Sequence, residues 1–169
     1  MTIALHPIKT DEEIHDVADM ASSIWHEYWP AILTEAQLEY MVDTMQSFEA
    51  IKHAINQDGY RYYFIVDEAR QRVGYTATHP EESERRLFIS KIYLYASARG
   101  KHYASRVIDY YEKTGKGEGF KALYLTVNKH NELGCRAYRG RGFSIIDAVE
   151  TDIGHGFIMD DYIMEKQLL

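Results

Sequence analysis

The hydrophobic pattern of this 169-residue chain changes near residue 59. Before that point apolar residues recur at three- and four-residue spacing, as in Ile14, Val17 and Ala21, which is typical of amphipathic helices. After it, runs rich in aromatic and β-branched residues predict strands, interrupted by two stretches with helical spacing. The change of period predicts an α+β chain in which helices pack on a mixed sheet.

The predicted elements follow the order strand, two or three helices, three strands, helix, strand, helix, two strands. The predicted strands cover residues 3–8, 60–67, 72–79, 87–95, 121–127, 143–150 and 157–165. The predicted helices begin at Asp11, Thr34 and Ser47 and cover residues 100–115 and 131–139. Short turns predict mostly antiparallel pairing, whereas the unit at 87–127 predicts a right-handed parallel crossover. The apolar strand at 121–127 is expected to be central and buried on both faces.

Composition limits the domain count and the classes of partner. A chain of this length predicts one domain over residues 1–169. The 19 basic and 26 acidic residues give a charge of −7, which argues against general nucleic-acid binding. No apolar run approaches the ~18 residues of a membrane span, and residues 1–10 lack a signal-peptide pattern. Cys135 is the only cysteine, which excludes an intrachain disulfide and fits a reducing compartment. We therefore expect a cytoplasmic protein without nucleic-acid or membrane partners.

Residues 92–105 pass from a strand through a tight turn into a helix. The first turn of a helix presents unpaired backbone N–H groups and a positive dipole end, which together suit a phosphate. Arg99 and Lys101 add positive charge, and Gly100 allows a close backbone approach. An ordinary strand-to-helix turn with exposed basic residues explains the same pattern equally well.

The sequence contains weaker indications of other kinds of functional site. Tyr138 lies two helical turns after Asn131, a reasonable N-cap, but alone it reads better as a core aromatic residue. The glycines at 115–119 follow a helix and precede a strand, the reverse of a nucleotide loop. The eight histidines show no helical metal-ligand spacing, so we expect no metal. Cys135 is expected to be a buried, inert thiol.

Taken together, the two stretches resemble the GNAT superfamily of acyl-CoA-dependent N-acyltransferases. The family signature is a small aliphatic strand end, then [Arg/Gln]-x-x-Gly-x-[Gly/Ala] opening a helix, then Asn, a Tyr seven residues later, and Gly-Phe. The matching residues are Ile92-Tyr93-Leu94, Arg99 to Ala104, Asn131, Tyr138 and Gly142-Phe143. The resemblance covers residues 87–166. It implies a GNAT-like mixed, mostly antiparallel central sheet with helices on both faces, a three-layer α/β/α arrangement.

The resemblance also implies acetyl-CoA as cosubstrate and assigns residues to it. The pantetheine arm would pair with the main chain of Ile92, Tyr93 and Leu94, where this strand parts from the one at 121–127. Asn131 would contact the cofactor, and Tyr138 would donate a proton to the departing thiolate. The pyrophosphate would be held by the backbone N–H groups of one loop, made of Arg99, Gly100, Lys101, His102, Tyr103, Ala104 and Ser105.

Two departures from the family pattern bear on this assignment. His102 stands where the family usually has glycine, which is tolerated if the backbone there is helical. The strand at 87–95 carries no carboxylate to act as general base. A water chain, His130 or Glu27 would have to accept the proton of the amine, and Glu27 reads better as a solvated helix residue.

The chain also resembles, loosely, the bacterial branch near the polyamine acetyltransferases. Five carboxylates on or near the last hairpin could attract a cationic amine, although a plain acidic surface explains them as well. They are Asp147, Glu150, Asp152, Asp160 and Asp161. The resemblance thus implies direct acetyl transfer to a primary amine, a polyamine or another small amine. A protein or peptide N-acetyltransferase and a non-catalytic acyl-CoA-binding regulatory module remain alternatives, and a homodimer stays open.

Overall fold

The computed structural model describes residues 2–168 and contains the predicted elements in the predicted order. The strands are β1 (Ala4–Pro7), β2 (Arg61–Val66), β3 (Arg72–Glu81), β4 (Arg86–Leu94), β5 (Ala122–Asn128), β6 (Ser144–Gly154) and β7 (Phe157–Gln167). The α-helices are α1 (Asp11–Tyr28), α2 (Glu35–Met45), α3 (Phe48–Asn56), α4 (Tyr103–Gly117) and α5 (Glu132–Gly140), and a 3-10 turn occupies Ala96–Ala98. Within residues 2–168, no helix combines the length and the apolar character needed to cross a membrane.

The strands form one seven-stranded sheet in the order β1-β2-β3-β4-β5-β7-β6. The ladders β1–β2, β2–β3, β5–β7 and β6–β7 are antiparallel, and the β4–β5 ladder is parallel. Helix α4 carries the chain back between β4 and β5, which is the connection that parallel strands need. These ladders confirm the predicted α+β fold with a mixed, mostly antiparallel sheet.

The chain divides into two compact units, of which the first contains residues up to His79 together with Lys91–Tyr110. Its α1 begins at a full capping box: Glu13 N donates to Thr10 Oγ1, and Thr10 N donates to the Glu13 carboxylate. The bonds that the Glu13 carboxylate accepts from Thr10 N and Lys9 N, together with its bond to His6, lower the pKa of Glu13 to about 2. Thr34 and Ser47 cap α2 and α3 as predicted. The buried apolar face of this unit includes Ile14, Val17, Ala21 and Ile24 on α1, Ile51 on α3, and Phe64 and Ile65 on β2.

The second unit contains Pro80–Ser90 and the chain from Tyr111 onward. Seven residue pairs join β5 to β7, which confirms that β5 lies inside the sheet. The prediction that β5 is buried on both faces is wrong, because Thr126 is exposed while Leu123 and Leu125 are buried. Side chains alternate along a strand, so the odd-numbered positions of β5 share the buried face.

Candidate functional site

The predicted anion loop lies between the 3-10 turn and α4. The backbone takes positive φ angles at Gly100 (77°) and His102 (65°), so α4 begins at Tyr103 rather than at residue 100. The first bond of the helix runs from Arg106 N to His102 O at 3.1 Å. Within residues 2–168, the backbone N–H groups of Tyr103, Ala104 and Ser105 have no hydrogen-bond acceptor in the protein. Three donors at the positive end of a 15-residue helix can therefore bind an anion.

His102 does not have the helical backbone that would make its replacement of glycine harmless. Its φ of 65° lies in the left-handed region, where a side chain costs about 1 kcal/mol or more relative to glycine. We expect His102→Gly to raise the free energy of unfolding by about 1 kcal/mol in urea denaturation. Gly100→Ala is the matched reverse change, since nothing lies within 4 Å of a Cβ at Gly100, and it should lower stability by a similar amount. A loss of stability in His102→Gly would contradict this reading.

The loop is tied to the strand and helix that precede it. Arg99 Nη2 donates to Leu94 O at 3.2 Å, and the Arg99 guanidinium lies 5.0 Å from the centre of the Tyr28 ring. Glu27 accepts a hydrogen bond from Ala96 N at 3.2 Å, so this carboxylate caps the 3-10 turn. Glu27 is exposed, as its reading as a solvated helix residue predicts. This bond ties the end of α1 to the start of the loop.

Tyr93, in the strand segment predicted to bind pantetheine, directs its side chain into an aromatic cluster. Its ring lies 5.3 Å from Trp25, 5.6 Å from Tyr75 and 6.3 Å from Trp29, measured between ring centroids. Trp25 Nε1 donates to the buried Tyr75 hydroxyl at 2.7 Å, which donates to Gln46 Oε1 at 3.0 Å. The side chain of Tyr93 therefore anchors β4, and its main chain is the part that can serve a ligand.

Strand β3 approaches the same segment of β4 unusually closely. A Cβ built on Gly74 would lie 2.1 Å from the Tyr93 carbonyl oxygen and 3.0 Å from Leu94 Cα. One residue further along, Tyr95 N donates to Val73 O at 3.0 Å. Only glycine permits this approach, so Gly74 helps set the position of Tyr93 and Leu94.

Helix α5 carries the two other predicted site residues. Asn131 is buried and caps the helix, with its Oδ1 accepting a hydrogen bond from Gly134 N at 3.0 Å. Tyr138 is half-buried in the last turn and packs edge-on against Phe143, with 5.8 Å between ring centroids. Cys135 is buried as predicted, and burial raises the pKa of its thiol. The structure thus supports the capping role of Asn131, and it leaves part of the Tyr138 side chain accessible.

A lysine that the sequence analysis did not single out lines a cavity of about 420 Å³ in the first unit. Lys91 Nζ lies 5.8 Å from the centre of the Tyr60 ring and 5.5 Å from that of Tyr62. Burial lowers the pKa of Lys91 to about 8. The other lining residues are Thr44, Met45, Ala50, His53, Ala54 and Asp58. The missed signal was the alternation of β4, which puts Lys91 in phase with the buried Leu87 and Ile89.

The cost of burying Lys91 predicts a pH-dependent stability. The pKa of Lys91 in the folded state, about 8, lies below its ordinary value of 10.5, so the unfolded chain binds more protons between these values. Stability therefore rises with pH through this window, and below pH 8 the full penalty is present. We expect Lys91→Met to be more stable than wild type at pH 7 by up to about 3 kcal/mol, with the advantage shrinking toward pH 10. Melting temperatures of both proteins test this, with Lys52→Met as a surface control; parallel pH profiles would contradict it.

The five carboxylates of the last hairpin lie in different environments, and Asp147, Glu150 and Asp152 are exposed. Asp147 accepts from Ala148 N at 2.8 Å, and Asp152 accepts from Gly154 N at 2.8 Å. Asp160 pairs with Lys129 at 2.7 Å. Asp161 is buried, and burial together with the nearby Asp160 raises its pKa to about 6.

Comparison with known proteins matches this chain to one family. The profile of the acetyltransferase (GNAT) family matches residues 18–143. The uncharacterized N-acetyltransferase YycN of Bacillus subtilis (strain 168) is 32% identical over 79 residues, which are 46% of this chain and 51% of YycN. The match therefore spans about half the length of that curated relative.

Solved structures share the fold at low sequence identity. The PaiA N-acetyltransferase from Thermoplasma acidophilum, crystallised in complex with coenzyme A, has a TM-score of 0.78 at 20% identity over 99% of both chains. A chimera of the spermidine N-acetyltransferase SpeG from Vibrio cholerae with hSSAT has a TM-score of 0.74 at 16% identity, covering 99% of this chain and 96% of the other.

Proposed function

The chain belongs to the acetyltransferase (GNAT) family, and on that premise we propose that it transfers an acetyl group from acetyl-CoA directly to a small primary amine. The observation that carries the proposal is the turn before α4, where three amide donors without protein acceptors meet a loop containing Arg99 and Lys101. This is the chemistry that a pyrophosphate requires.

In this proposal, different segments of the chain bind different parts of acetyl-CoA. The loop of Arg99–Ser105 holds the pyrophosphate through its backbone N–H groups, and Gly100 removes a side chain from the approach. The main chain of Ile92, Tyr93 and Leu94 pairs with the pantetheine arm as an added strand would. Asn131 supports the cofactor site by holding the start of α5, where its side chain caps the helix.

Acetyl-CoA supplies an activated acyl group as a thioester. In the transfer, the amine nitrogen forms a bond to the acetyl carbon while the carbon–sulfur bond breaks, and the sulfur keeps the electron pair. The amine attacks in its neutral form, after its ammonium has lost a proton to solvent. Tyr138 donates its phenolic proton to this thiolate, the acylated nitrogen loses its excess proton to solvent, and the Tyr138 phenolate is reprotonated from solvent. A phenol of pKa ~10 can assist a thiolate whose conjugate acid has a pKa of ~8.5.

The test is release of CoA thiol from acetyl-CoA in the presence of polyamines, amino acids, simple amines and peptides. We expect amine-dependent thiol release and an N-acetylated product of the added amine, detected by mass spectrometry. Polyamines are included because the sequence resembles that branch of the family. Modification of peptides alone would favour the protein acetyltransferase. Tight CoA binding without thiol release would favour a regulatory module.

A further inference from the structure

The cavity at Lys91 borders β4, the strand that the proposed function assigns to the pantetheine arm. It is lined by residues of α2, α3, β2 and β4 and of the loop before β2, and Lys91 immediately precedes Ile92 along β4. Its volume of about 420 Å³ lies within the range of small-molecule sites. An acceptor in this cavity would therefore adjoin the strand that the proposed function gives to the thioester.

The charge that Lys91 brings to this cavity is positive. Lys91 places its ammonium beside the rings of Tyr60 and Tyr62, where burial makes the charge costly. Two other titratable residues line the cavity: His53 and Asp58, whose exposed side chains lie 3.1 Å from each other. Helix α2 contributes only uncharged lining residues, Thr44 and Met45. Because buried charges interact more strongly than exposed ones, the ammonium sets the preference of the cavity.

Such a site favours an anion and disfavours a polycation. A carboxylate within hydrogen-bond distance of a buried ammonium forms a charge-assisted bond and offsets the desolvation that the lysine suffers. A polyamine would instead bring further positive charge toward it. Burial raises the pKa of Tyr62, so its hydroxyl stays protonated and can act as a hydrogen-bond donor.

We propose that this cavity binds the acceptor and that Lys91 Nζ binds a carboxylate on it. The acceptor is then a primary amine that also carries a carboxylate, such as a free amino acid, rather than a polyamine. This inference rests on the proposed function and narrows its substrate class.

Matched substrate pairs test the inference in the wild-type protein with acetyl-CoA. Lysine is compared with cadaverine, tyrosine with tyramine, and spermidine is added as the polyamine, with thiol release as the readout. In whichever pair gives the faster thiol release, we expect kcat/KM for the amino acid to be at least about tenfold higher than for the amine that lacks the carboxylate. A preference for cadaverine, tyramine or spermidine overturns the inference and leaves the acetyltransferase activity standing.

Variants separate binding by Lys91 from a structural effect. We expect Lys91→Met to raise KM for the carboxylate-bearing acceptor about tenfold or more, with little change for its decarboxylated partner, and Lys91→Arg to retain part of the preference. Lys52→Met changes an exposed lysine of α3 and should leave both substrates unaffected. Equal losses on both substrates in Lys91→Met overturn the inference. Absence of thiol release with every amine overturns the proposed function, and this inference with it.

Discussion

Replacing Tyr138 with phenylalanine is expected to lower kcat about 100-fold while the Kd for acetyl-CoA stays within about twofold. The substitution removes one hydroxyl and keeps the ring that packs against Phe143, so the last turn of α5 should remain folded. The thiolate then leaves without a proton donor, and only the chemical step is slowed.

Assays of thiol release measure kcat, and calorimetric titration measures the Kd for acetyl-CoA. Tyr110→Phe is the matched control, because Tyr110 is an exposed tyrosine of α4 at 43% and should show wild-type kcat. Unchanged kcat in Tyr138→Phe would remove Tyr138 from the mechanism. A parallel loss of cofactor affinity would instead make it a binding residue.

Introducing a methyl group at Gly74 is expected to destabilise the fold by about 3 kcal/mol. The new Cβ would meet the Tyr93 carbonyl oxygen at 2.1 Å, and backbone on both strands must move to relieve that contact. Since the same movement displaces Ile92–Leu94, we also expect weaker binding of acetyl-CoA in the fraction that stays folded.

Urea denaturation of Gly74→Ala gives the stability change directly. Gly117→Ala is the control, since nothing lies within 4 Å of a Cβ at the end of α4, and it should be neutral or stabilising by about 0.5 kcal/mol. If the two variants have equal stability, the close approach of β3 to β4 is not a constraint on the fold.

Local chemistry explains why so much of the fold could be predicted. Thr34 and Ser47 are residue types that accept hydrogen bonds from the first turn of a helix, and both do so here. Helix α4 begins at Tyr103 rather than at residue 100, because the backbone before it has positive φ angles at Gly100 and His102. Of these two residues, only the glycine is of a type that indicates a positive φ from sequence. The residue type of His102 does not indicate a positive φ, because a histidine takes this backbone conformation only where the surrounding structure imposes it.

The site was only partly predictable for a different reason. Motif spacing predicts the loop at residue 100 and Tyr138 as site residues, because the members of each motif are close in the chain. Lys91 could not be assigned in this way, because its cavity is built from α2, α3 and β2 as well as its own strand. Gly74 likewise matters through Tyr93, which lies on another strand.

The most direct test of this account is a titration of ¹⁵N-labelled protein with coenzyme A, followed through the backbone amide resonances. We expect the amides of residues 100–105 to shift most and to saturate together, because the proposed site places the pyrophosphate against them. Saturating coenzyme A that leaves these amides unmoved would contradict it.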